Sequence, residues 1–227
     1  MGACEHHVGT PLWRSVGLGF AILVFTACAG PQQEPDVLLD PHHSEWQTTA
    51  PDRFDVVFET SEGEFVISVT REWAPLGADR FFNLVRLGYY DDARFHRTVP
   101  DFIVQFGLAG HPAVSQTWRE QFIPDDSVAV SNTRGRVAFA FTEPRTRATQ
   151  VFISLVDLSR LDDGGFAPFG EVTDGMDVVD RLYSGYGEES GGGLRGGDQS
   201  SIFSQGNAWL DREYPELSRL VRARIRG

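Results

Sequence analysis

From Phe54 onward, apolar and polar residues alternate in short runs, the period of half-buried β-strands. Residues 54–60 are strand-like and Ser61-Glu62-Gly63 forms a turn. Residues 64–70 return with Phe65, Ile67 and Val69 on one face. Trp73-Ala74-Pro75 then opens a helix, with Pro75 suited to its first turn. Phe81, Phe82, Leu84 and Val85 recur at helical spacing, and Gly88 is placed to end the helix. Further strands are predicted over 94–97, 102–106, 136–141, 151–156 and 169–172. A second amphipathic helix carries Met176, Val178, Val179 and Leu182. Many short strands with few helices predict a mainly β barrel or sandwich.

Both ends break this pattern. Residues 16–25 are a continuous apolar run of the length of a signal-peptide core, too short to span a bilayer, and Arg14 precedes it. Residues 29–52 are rich in Pro, Gln, Asp and Thr without sustained periodicity, which predicts a flexible tether. Glycines crowd 188–198 with no Gly-Lys-Ser/Thr ending, which predicts a mobile surface loop and not a phosphate cradle. Over 213–226, Leu217, Leu220, Val221 and Ile225 fall on one face of a predicted helix that docks on the domain's own surface. The arginines of that stretch lie largely elsewhere.

Composition narrows the chemistry. The chain has 227 residues and a formal net charge of −12, so no basic excess exists to neutralise phosphates and nucleic-acid binding is not expected. All 20 basic residues are arginine. Cys4 and Cys28, the only cysteines, precede the folded part, so neither a structural disulfide nor a cysteine zinc site is expected. His42-His43 lacks carboxylate–histidine spacing and is read as a solvated pair, leaving no metal site.

The chemistry concentrates in Phe-His-Arg-Thr-Val-Pro-Asp-Phe-Ile-Val-Gln-Phe-Gly at 95–107. Arg97 precedes the apolar pair Phe102 and Ile103, and the neutral amide of Gln105 follows. There is no nucleophile with an obvious base and no metal-ligand cluster. Such parts can grip and polarise a peptide but cannot readily cut one. His96 alternates to the opposite face from Arg97 and is read as structural.

This segment resembles the signature of the cyclophilin family of peptidyl-prolyl isomerases, and the resemblance covers about 54–183. Asp79-Arg80-Phe81-Phe82-Asn83-Leu84 is similar to the family's first helix. Tyr89-Tyr90-Asp91 with Phe95-His96-Arg97 is similar to the strand that carries its arginine. Pro124-Asp125-Asp126, Asn132-Thr133-Arg134-Gly135, Thr149-Gln150-Val151-Phe152-Ile153, Leu161-Asp162, Phe169-Gly170-Glu171-Val172 and Gly175-Met176 follow in the family's order. The resemblance implies a closed eight-stranded β-barrel capped by two α-helices, to which the predicted C-terminal helix is added. It implies Arg97 and Gln105 as catalytic residues, and Phe102, Ile103, Phe152, Ala140, Phe141, Leu161 and Phe166 as substrate-binding residues.

The implied roles agree with elementary chemistry. Resonance gives a peptide bond a rotation barrier of about 18–20 kcal/mol, and an unaided X-Pro bond isomerises in tens to hundreds of seconds. A donor aimed at the amide nitrogen stabilises the twisted transition state, and Arg97 is a permanently charged donor. Phe102, Ile103 and Phe152 would hold the proline ring. Gln105 and the main chain near Phe141 would hold the substrate backbone. No cofactor is needed. The non-catalytic alternative is a cyclophilin-like module that binds Pro-containing segments.

Several positions depart from better-known members: Arg160 replaces a tryptophan, Phe166 a histidine and Phe141 an asparagine, and Phe106-Gly107-Leu108 stands for Gly-Gly-Asp. Weak inhibition by cyclosporin-type peptides is expected, because the position of Arg160 helps bind them in the family. Phe25-Thr26-Ala27-Cys28 resembles a bacterial lipobox, with Phe25 in the usual leucine position. The resulting expectation is a signal peptide over 1–27, a lipid anchor at Cys28, a tether over 28–52, an isomerase domain over 53–186 and a tail over 187–227. The protein is expected to be an exported monomer, anchored to a bacterial membrane and facing the periplasm or exterior, and to act on Pro-containing polypeptides. The alternative is a soluble secreted protein.

Overall fold

The computed structural model describes residues 37–227. The apolar run at 16–25 and Cys28 lie outside the described residues. Nine strands form one antiparallel sheet: β1 (Arg53–Thr60), β2 (Gly63–Thr70), β3 (Ala93–Arg94), β4 (Arg97–Val99), β5 (Ile103–Phe106), β6 (Arg136–Phe139), β7 (Val151–Ser154), β8 (Pro168–Asp174) and β9 (Arg219–Ile225). Their spatial order is β3-β9-β1-β2-β8-β6-β7-β5-β4. The two edge strands are joined by Phe95 and His96 alone, so the sheet curls back on itself. The strand expected over 94–97 is thus two short strands, interrupted at the corner where the curl closes.

Register puts the large residues on the inner face. Val56 pairs with Ile67, and Phe58 with Phe65, all four fully buried or nearly so. Phe58 stacks on Phe65 with centroids 4.9 Å apart, and Phe81 meets Phe169 at 4.8 Å. Helix α1 (Pro75–Arg86) buries Phe81, Phe82, Leu84 and Val85 against this aromatic core. Pro75 begins the helix, and both Asp126 carboxylate oxygens accept the free N–H groups of Leu76 and Gly77, at 3.0 and 2.8 Å. Gly88, at φ +74°, ends it as expected, in a conformation that costs a glycine little. Among the other helices are α2 (Pro112–Trp118) and α3 (Met176–Arg181), the latter matching the second predicted helix.

Two expectations from the ends of the chain are corrected. The stretch over 213–226 holds no long helix; its second half is β9, paired with β1 and β3. A register shift between Glu59 and Thr60 leaves Val221 as an extra residue opposite them, so the buried Leu220 and Ala223 fall three apart. A bulged strand therefore carries a spacing that imitates a helix. The expected tether is packed from Val37 onward. Trp46 is buried, meets Trp118 with centroids 4.3 Å apart, and donates to the carbonyls of Val37 and Asp40. The Ala50 N–H donates to Asp79 at 2.9 Å. One large aromatic outweighs the polar composition around it.

A second, smaller core lies beside the barrel. Helices α4 (Ser200–Gln205) and α5 (Asn207–Glu213) bring Ile202, Phe203 and Leu210 onto Leu108 and Leu217, with Tyr186, Trp209 and Tyr214 around them. Arg94 ties α5 to β3 through both oxygens of Asp211, at 2.8 and 2.9 Å. The alternation was too short here to predict these helices.

Candidate active site

The site is a row of side chains across four neighbouring strands. Arg97 on β4 is in register with Gln105 on β5, Gln105 with Phe152 on β7, and Phe152 with Ala138 on β6. Residues in one such row share a face of the sheet. Their chain neighbours Val104, Ile153 and Val137 point the other way, into the aromatic core. Ile103, two residues before Gln105, joins the same outer face.

The apolar half is one cluster. Ile103, Ala138, Phe152 and Leu158 are buried, and Phe102, Ala140, Leu161 and Phe166 are half-buried around them. Phe166 meets Phe152 edge-on at 5.8 Å and stacks on Phe141 at 4.3 Å. Leu161 and Phe166 lie in and just beyond a 3₁₀ segment, Ser159–Gly164, that is stapled to the barrel. Asp162 accepts from the main chain of Asn132 at 3.0 Å and from its amide at 2.7 Å, and that amide also donates to the carbonyl of Phe166 at 2.7 Å. All the substrate-binding residues expected from the sequence are therefore gathered at one place.

The polar half is a connected chain. Arg97 Nη1 donates to Gln105 Oε1 at 2.9 Å, and Gln105 Nε2 donates to Gln150 Oε1 at 2.8 Å. Gln150 exchanges hydrogen bonds with Gln199, and its Oε1 lies 3.2 Å from His96 Nε2. His96 is fully buried, and burial pushes its pKa down to about 4, so it is neutral at physiological pH. Its hydrogen bond to Gln150 ties this chain neighbour of Arg97 into the same polar network.

The remaining face of Arg97 is occupied. Glu188 accepts from Nε at 2.7 Å and from Nη2 at 2.9 Å, a bidentate ion pair. Arg97 holds the Glu188 carboxyl below the usual range, by these hydrogen bonds first and by its charge, against partial burial. Arg97 and Gln105 are left only 5% and 7% exposed. The glycine-rich stretch therefore packs on the site, contrary to the expected mobile surface loop: Ser190 and Gly191 are buried. Sequence reading missed Glu188 and Gln150 as site residues. Gln150 had a signal, since it shares the strand face of Phe152 two residues later; Glu188 had none, being 91 residues from Arg97. The guanidinium of Arg97 lies 5.5 Å from the centre of the Phe102 ring, and that of the exposed Arg160 lies 5.3 Å from the same ring.

Chemically, the site joins a cation and an amide to an apolar cluster. The family model described as cyclophilin type peptidyl-prolyl cis-trans isomerase/CLD matches residues 55–195. Peptidyl-prolyl cis-trans isomerase B of Escherichia coli is 34% identical over 136 residues, covering 56% of this chain and 82% of that protein. Peptidyl-prolyl cis-trans isomerase-like 1 of Aspergillus fumigatus is 35% identical over 131 residues, covering 56% and 81%. In fold, the chain is similar to a cyclophilin type peptidyl-prolyl cis-trans isomerase of Cryptosporidium parvum, with a TM-score of 0.56 and 20% identity over 77% of this chain and 98% of that one. That protein was also crystallised in the presence of the dipeptide Ala-Pro.

Proposed function

Since this chain belongs to the cyclophilin-type peptidyl-prolyl cis-trans isomerase family, we propose that it accelerates rotation about X-Pro bonds through Arg97, beside an apolar recess for the proline ring. The observation that carries this reading is the row Arg97–Gln105–Phe152, which sets a fixed donor one strand from an amide and two strands from an aromatic floor. The proline ring packs on Phe102, Ile103 and Phe152, with Ala140, Phe141, Leu161 and Phe166 at the rim. Gln105 holds a substrate carbonyl or N–H. Twisting about the C–N bond localises the lone pair on nitrogen, and a guanidinium N–H directed there is stronger in the transition state than in the planar amide. No bond is made or broken, so neither nucleophile nor general base is required. Exported Pro-containing polypeptides are the proposed substrates of a monomeric enzyme, tethered through lipid at Cys28.

The experiment is cis–trans exchange of an Ala-Pro test peptide, followed by NMR with the full chain and with an Arg97→Ala variant. Acceleration that collapses in the variant supports the reading. Peptide binding without acceleration in the parent protein supports the binding-module alternative.

A further inference from the structure

The segment between Tyr186 and Ile202 crosses the polar half of the site. Its two ends are anchored in the small second core, through Tyr186 on one side and Ile202 and Phe203 on the other. What lies between is mostly held by the site itself. Glu188 takes Nε and Nη2 of Arg97, and the backbone of Arg195 donates to the same carboxylate at 2.9 Å. Gly191 lies so close to the Arg97 stem that a Cβ there would come within 2.7 Å of Arg97 Cβ. Gln199 bonds Gln150, which in turn holds Gln105, and also the carbonyl of Gly191, at 3.2 Å. The chain thus satisfies both polar tools of the site with its own atoms.

Three features make this cover a displaceable one. Gly187, Gly192, Gly193 and Gly196 all have φ between +54° and +97°, so the segment is built of residues that move through backbone space at little cost. The buried hydroxyl of Ser190 has no protein partner, which leaves closure incompletely compensated. Leu194, within the segment, is 78% exposed. The apolar half is closed differently, by side chains of its own cluster: Phe166 packs on Phe152, which is 2% exposed.

We propose that residues 187–199 form an autoinhibitory strap in which Glu188 acts as an internal competitor for Arg97, so that substrate engages the guanidinium only when the strap is displaced. The inference rests on the reading of Arg97 as the polarising group. A carboxylate on Arg97 satisfies two of its donors and cancels the charge that would act on the prolyl amide. Glu188 therefore limits activity, and removing its charge releases it.

The test compares the full chain with Glu188→Gln and Glu188→Ala, by exchange kinetics and by NMR titration with the Ala-Pro peptide. Both variants are expected to raise kcat/KM by roughly fivefold, the scale of a partly exposed charged pair, and to tighten peptide binding. Faster hydrogen exchange of the 191–198 amides is expected alongside. Unchanged or lower kcat/KM in both variants overturns the strap, and a fall identifies Glu188 instead as a residue that positions Arg97. If neither parent nor variants accelerate exchange, the isomerase reading fails separately. Peptide affinity then decides: tighter binding by the variants supports the strap, and equal or weaker binding overturns it.

Discussion

The two halves of the site are built on different terms. The apolar half is local to the barrel: Ile103, Ala138 and Phe152 come from three adjacent strands, and Phe102, Ala140, Leu158 and the stapled 159–166 stretch pack onto them. The polar half depends on distant chain. Arg97 is held by Glu188, 91 residues away, and Gln150 by Gln199, 49 residues away. Apolar contacts are non-directional and tolerate exchange among similar shapes. A buried guanidinium must have its donors matched individually. The apolar half is therefore closed by close-packed neighbours, whereas the polar half is closed by partners matched donor by donor.

Phe152→Ala should give the largest effect on the fold. Deleting a side chain only 2% exposed costs about 3–5 kcal/mol, read by denaturant unfolding. KM for the Ala-Pro peptide should rise with it. If stability held and only KM moved, the apolar half would be a surface feature and the contrast between the halves would fail. Arg97→Ala should lower kcat by about 10²–10³, the scale for removing one preorganised donor, and should also lower the unfolding midpoint, because Glu188 and Gln105 lose their buried partner. A similar loss from Gln105→Ala would mean that the chain of amides acts as a unit.

His96 gives the polar half a pH signature in stability. Burial holds its folded pKa near 4, below the ordinary 6.5, so the unfolded chain takes up the proton first. Stability is therefore full above about pH 6.5, falls as pH drops toward 4, and levels off below, with a total of about 3 kcal/mol from this group. The measurement is the difference between the parent protein and His96→Gln across that window. A constant difference would show that His96 is not buried neutral. The smallest effect is expected at Asp162. Asp162→Ala removes the staple under Leu161 and Phe166, costing about 1–2 kcal/mol and raising KM with little change in kcat. An unchanged KM would detach the 159–166 stretch from substrate binding. At the rim, an Arg160→Trp variant should gain affinity for cyclosporin-type peptides in a titration, and nanomolar inhibition of the parent protein would overturn the expected insensitivity.

Much of this was legible in the chain. Period-two alternation located β1, β2 and β8 to within a residue or two at most of their ends, and Pro75 and Gly88 bracketed α1, because backbone geometry and one-sided burial impose those patterns locally. The segment over 95–107 named Arg97, Phe102, Ile103 and Gln105 together, because two adjacent antiparallel strands carry them all. Composition misled where a single contact governed the outcome. The polar stretch before Asp52 packs because Trp46 finds Trp118, and β9 imitates a helix because one bulge shifts its register.

By itself, then, the sequence determined most of the barrel's strands, the outward row of Arg97, Gln105 and Phe152, and the family to which the chain belongs. These follow from short-range steric rules and from motifs whose residues are neighbours in sequence or on paired strands. Only the tertiary structure decided that β9 closes onto β1, that the 37–50 stretch belongs to the core, and that Glu188 lies on Arg97. Each of those is a contact between residues dozens of positions apart. Such contacts form because a buried charge, an unpaired strand edge or an exposed indole must find a partner somewhere, and nothing local specifies where.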